Sequence, residues 1–149
     1  MRQFINHLDH FVWVCKTENL ERYVQQFSDL FGAKFDGPFE RENWFRVYVS
    51  WDTGFEISAP LTEDSRGGQH LKKHGEGPYA MVFGVEDLEA AKSHARELGY
   101  DPSEDILQTG EEPWTYRLES IVEAYVGEVL NTTMLFGHVV RKEGVVTTR

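Results

Sequence analysis

The sequence predicts an α+β protein made of two βαβββ modules, and three observations carry that expectation. Residues 8–15 (LDHFVWVC) and 78–85 (PYAMVFGV) both read as strands rich in β-branched and aromatic side chains, the second starting 70 positions after the first. Each is followed by an apolar helix stripe, and Leu20, Phe27 and Leu30 map onto Leu88, Ala95 and Leu98 at a constant offset of 68. Between them, residues 62–77 (TEDSRGGQHLKKHGEG) are polar and glycine-bearing and read as a linker. A repeat of about 70 residues is too long for a solenoid unit and suits a duplicated half-domain. The 149 residues therefore divide into module one (1–61), linker (62–77) and module two (78–149) of a single domain.

In module one, Leu20, Tyr23, Val24, Phe27, Leu30 and Phe31 form one helix stripe after the first strand. Thr17 is the expected N-cap, and Gly32 stands where a helix end takes a left-handed residue. Extended segments follow at 33–41, 44–51 and 54–61, punctuated by Asp36-Gly37-Pro38 and Asp52-Thr53-Gly54. In module two a helix runs from Asp87 to Gly99, and weaker extended segments fall at 105–109, 114–125 and 129–140.

Composition excludes several classes. Twenty-five acidic against 15 basic residues give a net charge of −10, a field that repels phosphate backbones and speaks against nucleic acid as a partner. No apolar run approaches the roughly 20 residues of a membrane span. The N-terminus MRQFINHLDH lacks the apolar core of a signal peptide, and the one cysteine, Cys15, reads as a small buried residue in a reducing, cytoplasmic protein.

LDHFVWVC with its helix, GFEISAP, and GPYAMVFGVEDLEAAKSHARELGY together resemble the vicinal oxygen chelate superfamily. Its members include glyoxalase I, methylmalonyl-CoA epimerase, extradiol dioxygenases and bleomycin and fosfomycin resistance proteins. The glyoxalase-like and epimerase-like members are the most similar. The resemblance implies a mixed β-sheet curled into a cup, a small-molecule ligand and a homodimer. It also implies a divalent metal (Zn, Ni, Fe or Mn) held by one side chain from the first and one from the last strand of each module.

Carried onto this chain, the resemblance makes His10 (in Leu8-Asp9-His10-Phe11) and Glu56 (in Phe55-Glu56-Ile57) the first two ligands and the catalytic candidates. Glu56 earns attention without any family, because a carboxylate between apolar strand neighbours needs a partner. The second module departs from the pattern: Ala80 stands where a histidine is expected, and no acid lies within Thr133–Gly137. The metal set is therefore incomplete, and a metal is expected to be weakly held or absent. His138 is the best stand-in. His70 and His74, four apart, have ligand spacing if helical, but solvated linker histidines are the commoner case.

Alternation in 44–51 puts Phe45, Val47, Val49 and Trp51 on one face, expected under the helix. Trp44, Arg46, Tyr48 and Ser50 form the other, expected to line the cavity beside Glu56 as substrate-binding residues together with Tyr79 and Trp114. Arg46 would recognise an anionic group or pair with Glu56.

Two functions follow. One is a lyase- or isomerase-type enzyme that moves a proton next to a carbonyl through Glu56 or His10, with dioxygenase chemistry disfavoured by the missing ligands. The other is a non-catalytic drug-binding protein of the bleomycin-resistance type, motivated by four tryptophans and the acidic charge. The retained His10 and Glu56 favour the enzyme.

Overall fold

A computed structural model describes residues 2–108 and 110–144. Thr109, the expected end of one extended segment, lies outside the described residues. The chain divides into two units, residues 11–79 and residues 2–10 with 80–144.

In the unit of residues 11–79, strand β1 (Ile5–Val14, of which residues 11–14 belong here) leads through a short 3-10 turn into helix α1 (Leu20–Phe31). Strands β2 (Asp36–Arg41), β3 (Phe45–Ser50) and β4 (Phe55–Pro60) follow, in the sheet order β2-β3-β4-β1. β4 pairs parallel with β1 and antiparallel with β3. α1 packs its apolar stripe on the sheet, where Leu20, Cys15, Ile57 and Ala59 are fully buried among Tyr23, Val24, Phe27, Phe35 and Tyr48. Removing the Leu20 or Ile57 side chain from water stabilises the fold by roughly 1.5–3 kcal/mol. Burial pushes the Cys15 thiol up to about 12, as suits an inert core residue.

Gly32 closes α1 in the left-handed region, its N–H donating to the Ser28 carbonyl as the pattern requires. The start differs from expectation. Thr17 does not cap the helix but opens the 3-10 turn before it, and the Glu76 carboxylate ties down that entry by accepting the Lys16 N–H at 3.0 Å and the Asn19 side-chain amide.

The expected linker also differs. Residues Arg66–His74 form helix α2, capped by the Ser65 hydroxyl accepting from Gly68 N at 3.0 Å. A helix this short needs packing, and it has it: Gly68 and His70 are buried.

The second unit repeats the scheme. Strand β5 (Gly77–Val85, of which residues 80–85 belong here), helix α3 (Leu88–Glu97) and strands β6 (Ile106–Leu107), β7 (Leu118–Val129) and β8 (Thr132–Arg141) give the order β5-β8-β7-β6, with β5 and β8 parallel. Asp87 caps α3 by accepting from Ala90 N at 2.9 Å. Ala80, Val82, Ala91, Ala95, Ala124 and Leu135 are buried here. Strand, helix and three strands, with the first and last strands parallel, thus occur twice. No helix among the described residues is long and apolar enough to cross a membrane.

Candidate active site

The chemistry-bearing side chains of the second unit gather around Asp9. This residue is 1% exposed, and its carboxylate receives four donors. Arg141, from the end of β8, donates NH1 to Oδ2 and NH2 to Oδ1, both at 3.1 Å. His10 Nδ1 lies 2.8 Å from Oδ1 and His7 Nε2 lies 3.1 Å from Oδ2. Burial alone would raise the Asp9 carboxyl, but hydrogen bonding and charge from His10, then from Arg141, outweigh it and hold the group far below the ordinary carboxylate range. A carboxylate so held is an acceptor only, so the His10 Nδ1 nitrogen carries the proton.

On its other side His10 Nε2 is 3.4 Å from Glu123 Oε1, with the two side chains 16% and 19% exposed. The imidazole is thus oriented by a buried anion at one nitrogen and faces a second carboxylate at the other. With Nδ1 protonated, Nε2 either accepts a proton as a base or donates one to Glu123.

Glu123 owes its place to strand register. In β7 it sits opposite Gly137 of β8, while Leu135 sits opposite Tyr125. A Cβ on Gly137 would stand 2.7 Å from Val82 Cγ1 but at an ordinary contact distance of 3.6 Å from Glu123 Cγ, so the glycine makes room for Val82 and the carboxylate arm lies alongside it. Glu123 was missed in the sequence. The signal was there, since Val122-Glu123-Ala124 is the same apolar-Glu-apolar pattern that drew attention to Glu56.

The parallel pairs locate the missing ligand position. Val12 of β1 pairs with Glu56 of β4, and Val82 of β5 pairs with Leu135 of β8. Leu135 therefore stands where Glu56 stands in its own unit, as Ala80 stands for His10. Both are buried and apolar. The residues present do not fit the four-ligand metal set of the resemblance, since two of its positions have no donor atom. His138 does not fill the gap: its register partner is Val122, so it faces the side opposite Glu123, and its Nδ1 donates to the Val85 carbonyl at 2.9 Å.

The unit of residues 11–79 corrects the expected lining. Loop 51–54 closes the β3–β4 hairpin so that Ser50 pairs with Phe55, Tyr48 with Ile57 and Val49 with Glu56. Paired residues share a face, so even positions of β3 align with odd positions of β4. Arg46 and Tyr48 consequently lie on the face packed by α1, and Glu56 lies on the other with Val47 and Val49. The apolar face expected under the helix is the one beside Glu56.

Contacts agree with this placement. The Tyr48 hydroxyl donates to Glu21 of α1 at 2.7 Å, and burial followed by that carboxylate pushes it up to about 12. Arg46 Nε donates to Glu40 at 2.6 Å, so its ion-pair partner is the β2 neighbour and not Glu56. Trp44 is half-buried beneath the Arg41 guanidinium, 5.4 Å from its ring centre. Tyr79 is buried against His70, with ring centres 4.9 Å apart. His70 is no solvated linker residue: it is 6% exposed and its Nε2 reaches the Pro78 carbonyl at 3.0 Å. Trp114 is buried in the second unit, in the stretch before β7.

No family model matches the chain. Among curated proteins, a 4-hydroxyphenylpyruvate dioxygenase of Caenorhabditis briggsae is 33% identical over 64 residues, 43% of this chain. The match spans only 16% of that protein's length. Solved structures match over nearly the whole chain. A Streptomyces coelicolor methylmalonyl-CoA epimerase variant in complex with 2-nitronate-propionyl-CoA is 20% identical with a TM-score of 0.69, covering 90% of this chain and 97% of its own. The Mycobacterium tuberculosis methylmalonyl-CoA epimerase is 16% identical with a TM-score of 0.68, covering 93% and 91%. With its twice-repeated βαβββ topology, the chain has the vicinal oxygen chelate, or glyoxalase-like, fold.

Proposed function

We propose that the protein is a small-molecule enzyme of isomerase or lyase type that moves a proton on a carbon next to a carbonyl. The observation that carries this reading is the His10 imidazole held between Asp9 and Glu123. A carbon acid of this kind needs a base within reach and a partner that returns the proton. Glu123 or His10 Nε2 takes the proton from carbon. The pair, 3.4 Å apart, passes it between them, and the imidazolium steadies the enolate oxygen before the proton goes back. Asp9 remains an anion throughout and steadies the positive charge on the ring.

Glu56 is retained as a separate candidate carboxylate of its own unit, on the face of its sheet opposite the one packed by α1. The solved structures of similar fold that hold 2-nitronate-propionyl-CoA and methylmalonyl-CoA make acyl thioesters with an acidic C–H the class to test first. A binding protein that only sequesters a drug has no use for an imidazole oriented by a buried ion pair. That observation favours the enzyme over the bleomycin-resistance reading. The proposal includes a cytoplasmic homodimer, which light scattering checks through the mass in solution.

The test is exchange in D2O: the protein is incubated with branched acyl-CoA thioesters, and deuterium at the carbon next to the carbonyl is followed by mass spectrometry. Incorporation that disappears in His10→Ala supports the proposal, and no incorporation with any carbon acid of this class rejects it.

A further inference from the structure

His7 is half-exposed, yet it is not free to wander. Its Nε2 donates to Asp9 Oδ2 at 3.1 Å, its Nδ1 meets the Asn6 side-chain oxygen, and its ring fills the space that a side chain on Gly84 of β5 would take. A Cβ at position 84 would stand 2.5 Å from His7 Nε2 and 2.7 Å from Nδ1. No carbon sits that close to a ring, so any side chain at 84 displaces the imidazole. Gly84 is outside the left-handed backbone region, so its conformation does not call for glycine. The space it leaves for His7 does.

We propose that Gly84 and His7 form a positioning device for His10, acting through Asp9. Each Asp9 oxygen takes two donors: Oδ1 from Arg141 and His10, Oδ2 from Arg141 and His7. Arg141 grips both oxygens alike, so by itself it does not distinguish Oδ1 from Oδ2. His7 adds a donor to Oδ2 and so biases Oδ1 toward His10 Nδ1. That aim sets which ring nitrogen carries the proton and where Nε2 points. His7 and Gly84 are positioning residues, since neither touches the His10 ring in these contacts. The catalytic meaning of this device rests on the proposed function, but its physical content does not.

The experiment reads the His10 Nδ1–H directly by proton and nitrogen NMR of histidine-labelled full-length protein, in the natural chain, Gly84→Ala, His7→Ala and the double variant. Far-UV circular dichroism and the melting temperature report the fold. Gly84→Ala is expected to move the His10 Nδ1–H resonance upfield and to speed its exchange with water on the order of tenfold, as loss of one charge-assisted hydrogen bond in the network implies. His7→Ala is expected to do the same, and the double variant no more than either alone, because both remove one contact. His7→Gln, which keeps a donor, should restore part of the signal.

An unmoved His10 resonance in Gly84→Ala and His7→Ala overturns the proposal, as do additive effects in the double variant. If the resonance shifts as expected while no variant and no natural protein exchanges deuterium into a thioester, the device stands and the proposed function fails. Should Gly84→Ala not fold, the His7→Ala and His7→Gln pair decides the matter alone.

Discussion

The Arg141 guanidinium holds both carboxylate oxygens of Asp9 at 3.1 Å, joining the end of β8 to the N-terminal part of β1. With Asp9 1% exposed and the Arg141 side chain 17% exposed, the pair is desolvated on both sides. Breaking such a pair strands a buried charge. Asp9→Asn is expected to destabilise the protein by about 3–5 kcal/mol in urea denaturation at neutral pH.

That loss has a pH signature. The folded Asp9 carboxyl lies below its unfolded value, so its contribution is complete above the unfolded pKa of about 3.9 and fades as pH falls toward the folded one. Urea midpoints of the natural protein and Asp9→Asn should therefore stand far apart at pH 7 and converge below about pH 4. A gap that stays constant through acid would place the effect elsewhere.

The β3–β4 register makes a second prediction. Arg46 and Tyr48 are on the α1 side of the sheet, and Glu56 is on the other. Tyr48→Phe should cost about 1 kcal/mol of stability through the lost hydrogen bond to Glu21 and leave deuterium exchange unchanged. Arg46→Ala should likewise spare exchange.

Metal binding follows from the donor count. Ala80 and Leu135 occupy the two second-unit ligand positions. Titration with Ni2+ or Zn2+ should show no tight, stoichiometric site that His10→Ala abolishes. Nanomolar binding lost in that variant would mean that other donors complete a set around His10.

The fold was legible because duplication repeats the pattern: two strand–helix starts at matching offsets reinforce each other where each alone is commonplace. The site was legible only in part. His10 and Glu56 could be singled out because their strands carry quotable patterns around them. Arg46 and Tyr48 were misassigned because face parity across a hairpin depends on loop length, and the 51–54 loop gives an odd register sum that alternation within one strand does not reveal. Asp9 and Arg141 stand 132 positions apart in the chain, and nothing local pairs them. Glu123 was overlooked because the resemblance directed attention to β8, where Leu135 and Gly137 now stand, and the carboxylate comes from the neighbouring strand.

The central claim is that His10 and Glu123 move a proton on carbon. Its most direct test compares deuterium incorporation next to the carbonyl of a branched acyl-CoA thioester by the natural protein and by Glu123→Gln. Losing one partner of a general acid–base pair typically lowers the rate by about 10²–10⁴-fold, and Glu123→Gln should fall in that range with an unchanged melting temperature. Full exchange activity in Glu123→Gln, with the natural protein active, would contradict the account.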